Sequence, residues 1–154
     1  MKKIRLYWHA TGANTNNWWS RCYTHLMIRS IYSLMEKFLK NIARNIFKEL
    51  GPCHLENVYQ RAFMVELDEK QMPYNHEVNI PVYYKKNIVG VIRADIIIDN
   101  KWVIELKACP SIKPEHVIQT MHYMERVKAI EGYVINFPNK PGAEGPEIKK
   151  LLLS

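Results

Sequence analysis

Three residues have types and spacing that could do chemistry together: Asp95, Glu105 and Lys107. They lie in two strand-like runs, Arg93-Ala94-Asp95-Ile96-Ile97-Ile98 and Trp102-Val103-Ile104-Glu105-Leu106-Lys107, joined by Asp99-Asn100-Lys101. Side chains alternate faces along a strand. One face of the pair then collects Ile92, Ala94, Ile96, Ile98, Trp102, Ile104, Leu106 and Ala108, all apolar. The other collects Arg93, Asp95, Ile97, Val103, Glu105 and Lys107. A three-residue turn sets Ile98 opposite Trp102, which puts Asp95 opposite Glu105 and Arg93 opposite Lys107. Like charges placed directly opposite repel. Their segregation has a use if the carboxylates hold a divalent cation and the cations face an anion. Carboxylate oxygens suit Mg²⁺ or Mn²⁺. Such an ion beside Lys107 could orient a phosphodiester, activate a water and stabilise the developing charge. Taken alone, D-x(9)-E-x-K fits an ordinary solvated face as well. The apolar flanks, with Ile97 and Val103 beside the charges, favour strands covered by helices, where unpaired charge is expensive.

The elements that must position these residues follow from periodicity. Leu34, Phe38, Ile42 and Ile46, with Leu39, Ala43, Phe47 and Leu50, predict a helix from Leu34, closed by Gly51 and Pro52. A second helix is expected from His54 to Lys70. Strands are expected over Glu77 to Tyr84, Ile88 to Ile98 and Lys101 to Ala108. A helix from Lys113 to Val127 starts with Pro114 and Glu115. Gly132 to Phe137 reads as a buried strand, and Glu147 to Leu153 as a short final helix. The order predicts an α/β fold, a central mixed sheet of about four strands flanked by helices.

The 154 residues suit one domain, residues 34–154, with residues 1–33 a poorly ordered or appended segment. Composition is ordinary for a globular chain, 47% hydrophobic and 24% charged. The net charge of +7 misleads: residues 1–34 carry five cations and no acid, whereas residues 35–154 carry 17 basic and 15 acidic residues. A nucleic-acid reading must therefore rest on a local site rather than on overall basicity. Cys22, Cys53 and Cys109 are odd in number and form no CxxC pair, which argues against a disulfide framework, a zinc site or an iron–sulfur cluster. No run is apolar and long enough to span a bilayer, and the basic start lacks the apolar run of a signal peptide. A cytoplasmic or nuclear protein, not a secreted one, is the expectation.

At these residues the sequence resembles the PD-(D/E)XK nuclease superfamily, with Asp95 in the place of its Asp and Glu105-Leu106-Lys107 in that of its E-x-K. Gln119 to Tyr123 is similar to the Q-x-x-x-Y motif of the RecB-like branch. Closer still is the family of small stand-alone proteins named GxxExxY. Its G-P-G-x-x-E-x-x-Y resembles Gly51 to Tyr59, and its late I-N-F resembles Ile135-Asn136-Phe137. The likeness runs from about residue 35 to the C-terminus. It departs at Cys53, which stands where the family has glycine.

The resemblance implies a restriction-endonuclease-like core and metal-dependent hydrolysis of nucleic-acid phosphodiesters, with DNA ranked ahead of RNA as substrate. Asp95 and Glu105 would be metal ligands, with Glu56 supporting the ion directly or through water. Lys107 would position the attacking water, and Gln119 would touch the site from the next helix. Read from the residues alone, Glu56 fits a surface helix position equally, and Gln119 a bonded polar residue on a helix face. Tyr123 reads as packing, and no histidine is assigned to metal. The alternative function is a catalytically silent, nuclease-like module that binds nucleic acid or a protein partner.

Overall fold

The computed structural model describes residues 18–153, with side chains from residue 33 onward. The expectations for residues 1–17, including the cluster of Lys2, Lys3 and Arg5, lie outside the described residues. The described residues divide into two units, one ending at Met35 and one starting at Glu36.

Helix α1 spans Trp18–Leu50, starting sixteen positions before the expected Leu34. In its second half Leu39, Ile42, Ala43 and Ile46 are fully or almost fully buried. Leu34 and Leu50, counted on the apolar face by periodicity, are exposed, so the buried stripe is narrower than the apolar one. Gly51 ends the helix at φ 72°, its N–H bonded to the Phe47 carbonyl at 2.9 Å. That left-handed conformation is the ordinary glycine stop. Helix α2, Glu56–Glu69, buries Tyr59, Phe63 and Leu67, one residue per turn.

Five strands follow: β1 Tyr74–Tyr84, β2 Asn87–Ile98, β3 Trp102–Lys107, β4 Glu131–Asn136 and β5 Glu147–Leu152. They form one sheet in the order β1-β2-β3-β4-β5. All neighbours are antiparallel except β3 and β4, which are parallel and joined by helix α3, Pro114–Val127. The segment expected to be a final helix is therefore the edge strand β5, which raises the sheet to five strands. Six residues are too few for a self-sustaining helix. Strand β4 is buried along its whole length, so its outer backbone groups need partners, and β5 supplies them from Glu147 to Leu152.

The register at the turn is the expected one: Ile98 pairs with Trp102, Ile97 with Val103 and Ile96 with Ile104. The β2–β3 ladder stops there, before Asp95 and Glu105. On the other side the β1–β2 register also skips Glu77 and Asp95, and Glu77 lies at φ 49°. The pleat breaks at this point. Ala94 and Ile97, three apart, share a core cluster with Val103, Tyr123, Met124 and Val134. Strict alternation would have put them on opposite faces. The single apolar face expected from Ile92 to Ile98 is thus split at Asp95.

Helix α3 lies close over β4. A Cβ added at Gly132 would stand 2.3 Å from Met124 Sδ and 3.1 Å from Thr120 Cγ2, so glycine sets how near the helix approaches. Among the described residues no helix is long and apolar enough to cross a membrane.

Candidate active site

The break at Asp95 frees its carboxylate from the regular strand face. Asp95 Oδ2 accepts the Leu106 backbone N–H at 2.8 Å, beyond the last ladder pair. A side chain thus ties the two strands where the backbone pairing has ended. Glu105 is 2% exposed, and its Oε1 accepts a hydrogen bond from Lys107 Nζ at 2.6 Å. Its other oxygen, Oε2, is buried with no hydrogen-bond partner. Buried carboxylate oxygens are normally satisfied, so this one has unused capacity to accept a donor or a cation.

The electrostatics agree with the geometry. Burial pushes the Glu105 carboxyl up from 4.5 to about 7, and the Asp95 charge adds to this against the pull of Lys107. Burial also raises Asp95, although the Leu106 N–H and Lys107 oppose the rise. For Lys107 burial acts downward, but the charge and hydrogen bond of Glu105, then Glu56 and Asp95, outweigh it and raise the ammonium above its ordinary value. Lys107 is therefore cationic at neutral pH.

Glu56 is exposed in the first turn of α2, where its charge acts on Asp95, Glu105 and Lys107. Among the described residues, however, no three His, Cys, Asp or Glu side chains converge closely enough to hold a metal ion. Asp95 is partly and Glu105 almost fully buried, and the two act on each other through their charges, whereas Glu56 is exposed. Gln119, half-buried on α3, donates from Nε2 to the Tyr123 hydroxyl at 2.6 Å.

From the sequence Tyr123 reads as packing. It is buried, but its hydroxyl also feels the site: burial raises its pKa, Gln119 lowers it, and the charges of Glu105, Lys107 and Asp95 act on it. The four-residue spacing from Gln119 could have signalled that contact. His116, one turn before Gln119, also feels the Lys107 charge. Burial and then the Lys107 charge hold it below its ordinary pKa, while its Nδ1 accepts the Lys113 N–H at 3.2 Å.

Other residues of the sequence motifs position the strands. The Tyr59 hydroxyl donates to the Gly51 carbonyl at 2.7 Å, and its ring stacks on Phe137 at 4.2 Å. Phe137 N–H reaches the Lys107 carbonyl at 2.8 Å. Buried Asn136 clamps Cys109 twice at 3.0 Å, accepting its N–H and donating to its carbonyl. Together these contacts tie the start of α2, which carries Glu56, to the end of β3, which carries Lys107.

Asp95 and Glu105 have a chemistry that suits a divalent cation: two electrostatically coupled carboxylates, one of them with an unpartnered oxygen. Comparison with known proteins bears on this. No curated protein matches the chain. Among solved structures, the protein SSO0001 aligns at 21% identity and a TM-score of 0.44, over 64% of this chain and 52% of that one. An alkaline exonuclease from Laribacter hongkongensis aligns at 15% identity and a TM-score of 0.45, over 64% of this chain and 55% of that one. The chain spans about half the length of both. The family profile of the PD-(D/E)XK nuclease superfamily matches residues 33–150, which include both halves of the site and the helices that flank it. By that match the chain belongs to the PD-(D/E)XK nuclease superfamily.

Proposed function

We propose that the chain is a divalent-metal-dependent nuclease of the GxxExxY group, hydrolysing phosphodiester bonds of nucleic acid at Asp95, Glu105 and Lys107. The observation that carries this reading is Glu105 Oε2, a buried, unpartnered carboxylate oxygen in the field of Asp95. Most buried carboxylate oxygens are bonded, so this one is open to a ligand.

Asp95 and Glu105 would hold Mg²⁺ or Mn²⁺, with Glu56 at the rim acting through water. When bound, the ion supplies a Lewis acid that makes water more acidic and neutralises phosphate charge. The remaining work falls to the chain's own groups. Lys107 keeps its proton and places an ammonium beside the reacting phosphate, where it can donate to the attacking water or to a phosphate oxygen. The Leu106 N–H holds Asp95 in a fixed orientation. Gln119 and Tyr123, hydrogen-bonded to each other on α3, would form one wall of the site. The strand break at Asp95 stores local strain of the kind that collects at functional positions.

The test is cleavage of a panel of single- and double-stranded DNA and RNA across a titration of Mg²⁺ and Mn²⁺, with Lys107→Ala alongside. Metal-dependent cleavage that Lys107→Ala abolishes is the expected result. A wild-type protein that binds nucleic acid but cleaves nothing with either metal would replace the enzyme with a silent binding module.

A further inference from the structure

The β1–β2 hairpin extends well past the core. Its inner half is anchored by Ile80 and Ala94, both buried in the cluster under α3. Its outer half, residues 81–91, is exposed except for half-buried Val82, and it carries large side chains. Tyr83, Tyr84, Ile88, Val89 and Val91 are each 60–66% exposed. Tyr83 and Tyr84 are adjacent and both open, so neither face of the ribbon is covered at the tip. A two-stranded ribbon is marginal in water without a covering layer. The tip is also basic. Residues 81–91 contain Lys85 and Lys86 and no acid, while Arg93, nearer the core, is paired with Glu77 at 3.5 Å. Lys85 takes φ 56°, a left-handed conformation usual for glycine or asparagine, yet the position carries a lysine. Its Nζ lies 5.7 Å from the centre of the Tyr84 ring.

We infer that this ribbon is a duplex-DNA arm that grips the substrate away from the cut. The inference rests on the nuclease reading for its choice of partner, and it adds the substrate class. Three features favour duplex DNA over a second copy of the chain. The charge is of one sign and complements phosphate, whereas two such tips facing each other would repel. Pro81 on the outer strand β1 has no N–H to offer an added strand, which discourages edge pairing. The major groove of B-form DNA admits a two-stranded ribbon, while that of A-form RNA is too deep and narrow. The arm also starts at the site, since β2 carries Asp95 itself. From Asp95 to Ile88 the strand runs roughly 23 Å at about 3.3 Å per residue, or about seven base pairs. The two lysines would contact phosphates, and the tyrosines and aliphatic side chains would fill the groove between them.

The test is fluorescence anisotropy without metal, on duplex DNA of about 30 base pairs, comparing wild type with Lys85→Gln/Lys86→Gln over a salt series. Losing two phosphate contacts should weaken binding by roughly tenfold or more near 0.1 M salt and reduce the slope of log K against log salt by about 2. The size-matched, exposed substitutions should leave the thermal unfolding midpoint in place. Unchanged affinity and slope would overturn the inference, as would an equal loss on duplex RNA or no binding of duplex DNA by wild type. A wild-type dimer in sedimentation that Tyr83→Ser/Ile88→Ser converts to monomer would assign the arm to a second copy instead. The two readings fail separately. Cleavage by wild type with binding unmoved by the lysine pair leaves the nuclease and removes the arm. Weakened binding with no cleavage under any metal leaves the arm and removes the nuclease.

Discussion

Two glutamates on neighbouring strands make a natural comparison. Glu105 on β3 is 2% exposed and Glu131 on β4 is 1% exposed, and each accepts a hydrogen bond from a lysine, at 2.6 and 2.5 Å. They differ in the second oxygen. Glu131 Oε2 takes the Tyr133 hydroxyl at 2.6 Å, whereas Glu105 Oε2 takes nothing. Glu131 is a closed polar cluster, extended by Lys150 toward Glu36 at 3.8 Å. Its cost shows on the partner: burial, then the hydrogen bond and charge of Glu131, raise the Tyr133 hydroxyl far above its ordinary pKa. Glu105 instead is buried in the field of Asp95, a second carboxylate, and carries the cost itself, at a pKa of about 7. Buried charge by itself does not mark a site. A buried carboxylate that is left half-satisfied beside another carboxylate does.

The largest expected effect lies on the Glu105 side. Asp95→Asn and Lys107→Ala should each reduce metal-dependent cleavage by about 10³-fold, roughly 4 kcal/mol of barrier, with the fold retained. The two should separate in metal titrations. Asp95→Asn removes a ligand charge and should weaken metal binding, while Lys107→Ala should keep metal binding and lose rate. If either variant unfolds instead, the Glu105 region is structural and the comparison collapses.

Glu131→Ala is the converse. It removes the acceptor of both the Lys150 ammonium and the Tyr133 hydroxyl. Stability should fall by about 3 kcal/mol in urea unfolding. Per folded molecule, cleavage should persist. A fully stable Glu131→Ala protein would show that the closed cluster contributes nothing to the fold.

The third expectation concerns pH. Glu105 has a folded pKa near 7 against 4.5 for the free side chain. The folded state therefore holds a proton that the unfolded chain has lost across that window. Stability from this group is fully present below about pH 4.5 and declines as pH rises through 7, by up to about 3 kcal/mol. Glu105→Gln removes the dependence. In chelator, the variant should match wild type near pH 4.5 and exceed it near pH 8. Added Mg²⁺ should restore wild-type stability at high pH by favouring the charged form. Parallel pH curves for the two proteins would mean that Glu105 titrates normally and is not held in the field of Asp95.

Much of this was legible in the residues, and the remainder was hidden for identifiable reasons. The three-residue turn sets Ile98 against Trp102 because turn length controls register. Apolar runs place β3 and β4 in the covered centre of the sheet. Strand β5 was hidden because Glu147 to Leu152, with Lys149 and Lys150 in the middle, has no clean period. Its strand state comes from the open edge of β4. The break at Asp95 was hidden because no residue type announces a left-handed Glu77. The lone oxygen of Glu105 depends on every neighbour at once and cannot be read from spacing. Tyr59, Asn136 and Phe137 could be matched to motif positions, but their shared role of tying α2 to the end of β3 appears only in three dimensions.

Cys53 is the smallest case and the sharpest. It stands where the resembling family has glycine, and the structure places it at φ 71°. That backbone region disfavours a Cβ by about 1–2 kcal/mol, against a gain of up to about 1 kcal/mol for restricting the unfolded chain. Cys53→Gly should therefore raise stability by about 0.5–1 kcal/mol in urea unfolding. Cys53→Ser, with the same backbone restriction, should leave it nearly unchanged, which separates backbone relief from loss of the thiol. The turn is pinned from the far side, since Tyr59 donates to the Gly51 carbonyl and accepts the His54 N–H at 3.3 Å. Relief at Cys53 should thus not release the turn. Cleavage then locates the turn within the comparison. A stabilised variant with unchanged cleavage makes the turn a structural device like the Glu131 cluster. A stabilised variant with altered metal affinity makes it part of the site, acting through Glu56 three residues on. A variant that is no more stable than wild type would mean that the left-handed turn carries no strain, and the glycine of the family pattern would need a different physical reason.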